Sequence, residues 1–174
     1  ADAEKIKVLP HGIPLPRNLR NTVTTKPEKH LQFFYVGRIC HVKGVHIMLA
    51  AFNQSTINAE LQIIGGAGNR NEDRYMRRLM KKYKDDARIK WLGKISYQRI
   101  YDEIDKYDVM IHPAICLEVL GLNIAEALAL SKPVIATKCG GPEMQIEDGT
   151  NGILVEPNNI VELANEMERI ANNE

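Results

Sequence analysis

The feature that most constrains this chain is a repeated alternation of pattern. Six short apolar runs stand at residues 31–36 (LQFFYV), 61–64, 89–92, 107–112 (YDVMIH), 133–137 and 152–155. They are apolar at successive positions rather than at alternate ones, which reads as strands covered on both faces. Between them lie segments whose apolar residues recur at helical spacing. Over 43–52 these are Val45, Met48, Leu49 and Phe52, and over 72–84 they are Tyr75, Met76, Leu79 and Tyr83. A segment over 96–106, opened by Ser96 as a cap, turns Ile100 and Ile104 inward, and 123–130 does the same with Ile124, Ala127 and Leu128. A last helix starts at Asn158 or Asn159 and runs to about residue 171. Strands alternating with helices predict an α/β fold, a Rossmann-like, doubly wound parallel sheet of about six strands with helices on both faces.

In such a sheet the carboxyl ends of the strands share one rim, where ligands bind. The stretch 117–130 (LEVLGLNIAEALAL) lies there, with Glu118 and Glu126 eight positions apart and Gly121 and Asn123 between them. Glu118 and Gly121 fall in a strand-to-helix loop. Glu126 is expected near the first helical turn, where a carboxylate is favoured by the dipole. Free backbone N–H groups at that helix start suit a phosphate. Taken alone, two glutamates near a helix start are more often solvated carboxylates. Arg38 follows the first strand, and Lys43-Gly44 opens the next helix. A planar fork and a compact charge both suit a phosphate or diphosphate. A cation at a helix amino end also opposes the dipole unless an anion joins it. The plainer reading of each is a surface cation.

Other rim segments are weaker. Gly65-Gly66-Ala67-Gly68 has no GxGxxG spacing and no Walker lysine, so it reads first as a turn. Gly93-Lys94-Ile95 and Gly140-Gly141-Pro142-Glu143 complete the set. His41, His46 and His112 have no Ser or Cys partner at an interpretable spacing and read as satisfied or solvated histidines. The basic segment 72–84 reads as a solvated helix rather than a lipid-facing one. No metal-ligand spacing is visible.

The totals narrow the function classes. A chain of 174 residues is one domain with a real core, and 23 basic against 22 acidic residues argue against nucleic-acid binding by bulk charge. Three dispersed cysteines form no disulfide framework, so a reducing compartment is the default. No apolar run reaches membrane-spanning length and no signal-peptide pattern is present. Residues 1–30, with Pro10, Gly12, Pro14 and Pro16, are expected to be an extended linker of a larger protein, leaving 31–174 as the folded domain.

In combination, GRICHVKG (37–44), GGAG (65–68), EVLGLNIAE (118–126) with ALALSKPVIAT (127–137), and GGPE (140–143) resemble the C-terminal, donor-nucleotide half of retaining GT-B glycosyltransferases of family 4. VLPHGI (8–13) resembles their interdomain linker. The resemblance covers nearly the whole chain, and it is the ordered set that is specific. It implies that Arg38 and Lys43 hold the donor diphosphate and that Glu118 meets the transferred sugar, these three forming the catalytic group. It further implies that amides from Gly121 through Leu122 to Asn123 meet the phosphates, that Glu126 takes the ribose hydroxyls, and that Ile95 reads the base through its backbone. Two departures bear on the sugar contacts: Val119-Leu120-Gly121 stands where Gly-Phe-Gly is usual, and Ala114 where Ser is usual.

The implied donor is a GDP- or UDP-hexose, with mannose or glucose the first choices, and no cofactor or metal is required. The acceptor, a glycan, a lipid-linked carrier or a small molecule, would be reached through an N-terminal domain outside this chain. The full-length protein is expected in the cytoplasm, with a peripheral contact at the inner membrane face left open, and with no nucleic-acid partner. This half alone is expected to bind nucleotide weakly and transfer little. Alternatives are a non-catalytic nucleotide-sugar binding module and a GT-B type epimerase. A Rossmann oxidoreductase is disfavoured, because residues 37–41 (GRICH) are not a dinucleotide fingerprint.

Overall fold

The computed structural model describes residues 12–14 and 30–172. The linker expected over 1–30, including the 8–13 motif, therefore lies almost wholly outside the described residues. The sheet is built outward from β1 (Leu31–Arg38), whose Phe33, Phe34 and Tyr35 are all buried. On one side it pairs in parallel with β2 (Ala59–Gly66), and β2 pairs with the edge strand β3 (Ile89–Gly93). On the other side β1 pairs with β4 (Val109–His112), followed by β5 (Val134–Thr137) and β6 (Gly152–Val155). The six strands run β3-β2-β1-β4-β5-β6, all parallel, so the order reverses between β1 and β4. The doubly wound sheet expected from the alternation is therefore what forms.

Successive β1 side chains explain why the runs are apolar at every position. Phe33 and Tyr35 face a layer made by α1 (Val45–Gln54), α2 (Arg70–Lys82) and α5 (Ile160–Ala171). Phe34 faces the opposite layer, α3 (Ile100–Ile104) and α4 (Leu122–Ala129). Phe52 of α1 stands edge-on to Phe33, with ring centroids 6.4 Å apart. The Arg88 guanidinium lies 4.7 Å from the Phe52 ring centre and donates to the carbonyls of Ser55 and Ile57, tying the end of α1 to the start of β2.

Boundaries shift where capping or packing overrides periodicity. α2 starts two residues early because the Asn69 side chain accepts from the amides of Asn71 and Glu72. Asn159 caps α5 by accepting from the Glu162 amide. The helix expected over 96–106 is a 3-10 turn (Tyr97–Arg99) running into the five-residue α3, and Ser96 makes no side-chain cap bond. A short element suffices there, since Ile100 and Ile104 already reach the core and the Tyr107 amide closes back on the Ile104 carbonyl. Among the described residues, no helix is long and apolar enough to cross a membrane.

Candidate functional site

The rim beside the β1–β4 reversal carries a cavity of about 520 Å³. It is lined by Arg38, Lys43, His112, Glu118, Gly121, Leu122 and Asn123, with Tyr35 on its β1 side. Six of the eight residues singled out from the sequence thus meet around one space. The cleft beyond the carboxyl ends of strands, at a change of strand order, is where open α/β sheets bind ligands.

β1 delivers Arg38, and the Tyr35 hydroxyl fixes that strand end by donating to the Arg38 carbonyl at 2.8 Å. The Arg38 side chain is largely exposed and lies 3.7 Å from Glu72. Lys43 does not begin α1. It sits in a preceding 3-10 turn, His41–Lys43, closed by Gly44 in the left-handed conformation. A Cβ on Gly44 would overlap the Pro113 carbonyl oxygen, so only glycine lets this turn lie against the end of β4. The cation expected to oppose the α1 dipole is therefore offset from that helix. It forms an ion pair with Glu118 instead, and both side chains are largely shielded.

The Glu118 backbone is held from the next strand. Its amide donates to the Cys139 carbonyl, and its carbonyl accepts from the Gly141 amide, each at 2.7 Å. The Glu143 carboxylate accepts from the amides of Cys139 and Gly140, which folds the GGPE turn against the loop. Gln145 donates to the Leu120 carbonyl. Residues 140–143 therefore serve this rim as a brace. Gly121, with φ 75°, is the cap of α4; its carbonyl and the Asn123 Oδ1 accept from the Ile124 amide, which leaves the amides of Leu122 and Asn123 as the ones without an acceptor among the described residues. The Asn123 side chain is already committed: it donates to the Val36 carbonyl at 2.8 Å, which joins α4 to β1.

Glu126 and Ile95 are not part of this lining. Glu126 lies one turn into α4, beyond the first turn, because the helix begins at Leu122. It is 8% exposed, and among the described residues nothing bonds to its carboxylate. Burial alone pushes its pKa up. Tyr101 of α3 is its neighbour: burial first, then the Glu126 charge, push the phenol up to about 12. Ile95 packs with Tyr101 against the same α3–α4 core. The two residues thus mark an extension of the rim toward α3.

The glycine segment 65–68, expected first as a plain turn, lines a second cavity of about 580 Å³ with Trp91, Gly93 and Lys94. His46 is satisfied as expected, its Nδ1 lying 2.8 Å from the Tyr75 hydroxyl, and it stacks on His41. His112 is not as expected. It is buried, yet neither ring nitrogen has a partner. Burial, more than the nearby Lys43, lowers its pKa to about 4, while the Glu118 charge acts the other way. Its position at a strand end before Pro113 was the available signal, but a lone histidine in sequence does not reveal burial without partners. Among the described residues, no group of three or more His, Cys, Asp or Glu could hold a metal ion.

The family model described as glycosyl transferases group 1 matches residues 18–174. A sucrose synthase of Acidithiobacillus caldus is 35% identical over 137 residues, which are 71% of this chain and 17% of that protein. An alpha-D-kanosaminyltransferase of Streptomyces kanamyceticus is 31% identical over 138 residues, 78% of this chain and 35% of that protein. Among solved structures, Anabaena Alr3699/HepE in complex with UDP-glucose superposes with a TM-score of 0.74 at 27% identity, over 83% of this chain and 40% of that one. The chain thus spans less than half the length of each of these relatives.

Proposed function

This chain belongs to the group 1 glycosyltransferases, with the Rossmann-like sheet of the GT-B fold, and from that premise we propose that residues 31–174 are the donor-binding half of a retaining hexosyltransferase of family 4. One observation carries the reading. Two cations, Arg38 and Lys43, and the first residues of α4, Leu122 and Asn123, border a single cavity at the strand-order reversal, with Glu118 paired to Lys43 in its lining. That is a receptor for a diphosphate with a polar group beside it. In transfer, the bond from the sugar's anomeric carbon to the diphosphate oxygen breaks and negative charge builds on the leaving group. Preorganised cations and amides lower that barrier.

In this reading Lys43 and Arg38 take the diphosphate, helped by amides over Gly121, Leu122 and Asn123. Glu118 meets the transferred sugar. Glu126, buried and without a partner, accepts from the ribose hydroxyls, and the base lies toward Ile95. UDP-hexose is favoured as donor because a neighbour of like fold is seen with UDP-glucose. Glucose is the first choice of sugar and mannose the second. The acceptor is brought by a facing domain. Without it, orientation worth on the order of 7–11 kcal/mol is missing, so this half alone binds nucleotide and transfers little sugar.

Calorimetric titration with UDP, GDP and ADP tests this, alongside Arg38→Ala and Glu126→Ala. Binding of one nucleotide, weakened about ten-fold or more by each substitution (about 1.4 kcal/mol), is expected. Binding that survives both substitutions would place the nucleotide elsewhere and overturn the reading.

A further inference from the structure

His112 ends β4 beneath the loop that carries Glu118. It is 3% exposed, and both its ring nitrogens lack a partner. The ring borders the cavity, close enough to Gly121 that a Cβ there would lie 3.6 Å from the His112 Cε1. A buried imidazole with nothing bonded to it calls for an explanation in terms of what the site does. The two charges that act on the ring are those of Glu118 and Lys43, which in the free chain are paired with each other.

That pairing conflicts with the proposed role of Lys43. Its ammonium is a compact point charge, and a diphosphate carries more charge than one carboxylate, so a bound diphosphate draws Lys43 toward itself. Glu118, with a side chain only 13% exposed, is then left in a shielded place without its cation. The other side-chain donors of the lining are engaged. The Tyr35 hydroxyl donates to the Arg38 carbonyl and the Asn123 amide to the Val36 carbonyl. Arg38 lies against Glu72 on the other flank and is itself wanted by the diphosphate. Among the described side chains of the lining, His112 is the one whose polar atoms have no partner at all, and the Cys116 thiol, 4.0 Å from the Glu118 Oε1, is only a weak donor.

We propose that His112 is a positioning residue which receives the Glu118 carboxylate on a ring N–H when a nucleoside diphosphate draws Lys43 away. The imidazole is neutral, so it holds Glu118 without cancelling its charge, and Glu118 keeps its second oxygen for the sugar. The inference rests on the donor-site reading above and names the device by which that site changes from its empty to its loaded arrangement.

The test follows the ring nitrogens of ¹⁵N-histidine-labelled protein by NMR while UDP, and separately UDP-glucose, is added at neutral pH. His112 is assigned from the spectrum of His112→Gln. Saturation with either ligand is expected to settle the ring in one tautomer and shift its protonated nitrogen, and Glu118→Ala is expected to abolish that response at ligand concentrations raised until the Gly121 amide reports an occupied site. His112→Phe, which keeps the ring shape without an N–H, is expected to weaken UDP-glucose binding about ten-fold (about 1.4 kcal/mol), and His112→Gln to restore most of it. Binding seen at the Gly121 amide with unmoved His112 nitrogens overturns the assignment and leaves the donor site standing. A ring response that survives Glu118→Ala also overturns it. Failure of wild type to bind either ligand overturns the donor-site reading and this inference together.

Discussion

At the scale of single residues, the site holds groups that cost the free chain stability. Glu126 is a buried residue whose carboxylate has no bond among the described residues, and burial raises its pKa. A group whose folded pKa is raised destabilises the fold where it is ionised, and that penalty disappears once pH falls below its unfolded value. Glu126→Gln is therefore expected to stabilise the chain at pH 7, with the gain fading toward pH 4.5, while nucleotide affinity drops. Urea unfolding at several pH values, paired with UDP titration, checks both halves. His112 has the opposite shape of dependence. Its pKa falls from 6.5 to about 4 on folding, so the unfolded chain takes up the proton first. Stability is expected to decline by about 3 kcal/mol as pH falls through that window, and to level off below it. The same titration on His112→Gln should lack this segment of the curve. Neither residue's state was legible in sequence. Glu126 could be placed on a helix and His112 at a strand end, but burial without a partner depends on what the rest of the chain packs over them.

At the scale of elements, the site depends on how turns seat against strand ends. The Lys43 turn is held by Gly44, with φ 67°, pressed on the Pro113 carbonyl where β4 ends. Gly44→Ala must meet both the left-handed backbone cost and that overlap, and is expected to lose about 2–4 kcal/mol. Denaturant midpoints measure the loss. UDP affinity, measured under conditions where the variant stays folded, should fall as well, because Lys43 moves with the turn. The sequence placed Lys43 at the amino end of a helix, and the offset into a 3-10 turn became visible only with β4 beside it. A similar reason lies behind Gly140–Glu143. As a string it looks like another ligand loop, yet the Glu143 carboxylate spends its bonds on local amides, and the turn braces the Glu118 backbone from β5. Capping residues were easier to read where their bonds are local, as with Asn159 on α5. Ser96 failed as a cap because the chain there turns into a 3-10 helix.

At the scale of the whole molecule, two helical layers clamp a sheet that is buried through its centre. Met167 of α5 is fully buried in the layer that α5 shares with α1 and packs with Phe33 and Phe52 in one cluster. Met167→Ala is expected to cost about 2–4 kcal/mol with no change in nucleotide affinity per folded molecule, since this layer lies below the rim. Thermal unfolding and UDP titration of the same variant separate the two effects. The sequence by itself determined the six strands, their helical partners, the parallel sheet and the rim that holds Arg38, Lys43 and Glu118. Those follow from hydrophobic period and glycine position, which are properties of short windows. The tertiary structure alone decided that Lys43 pairs with Glu118, that Glu126 and Ile95 stand outside the cavity lining, and that His112 lies buried without a partner. Each of these depends on which strand ends become neighbours, and β1 meets β4 across more than seventy residues of chain.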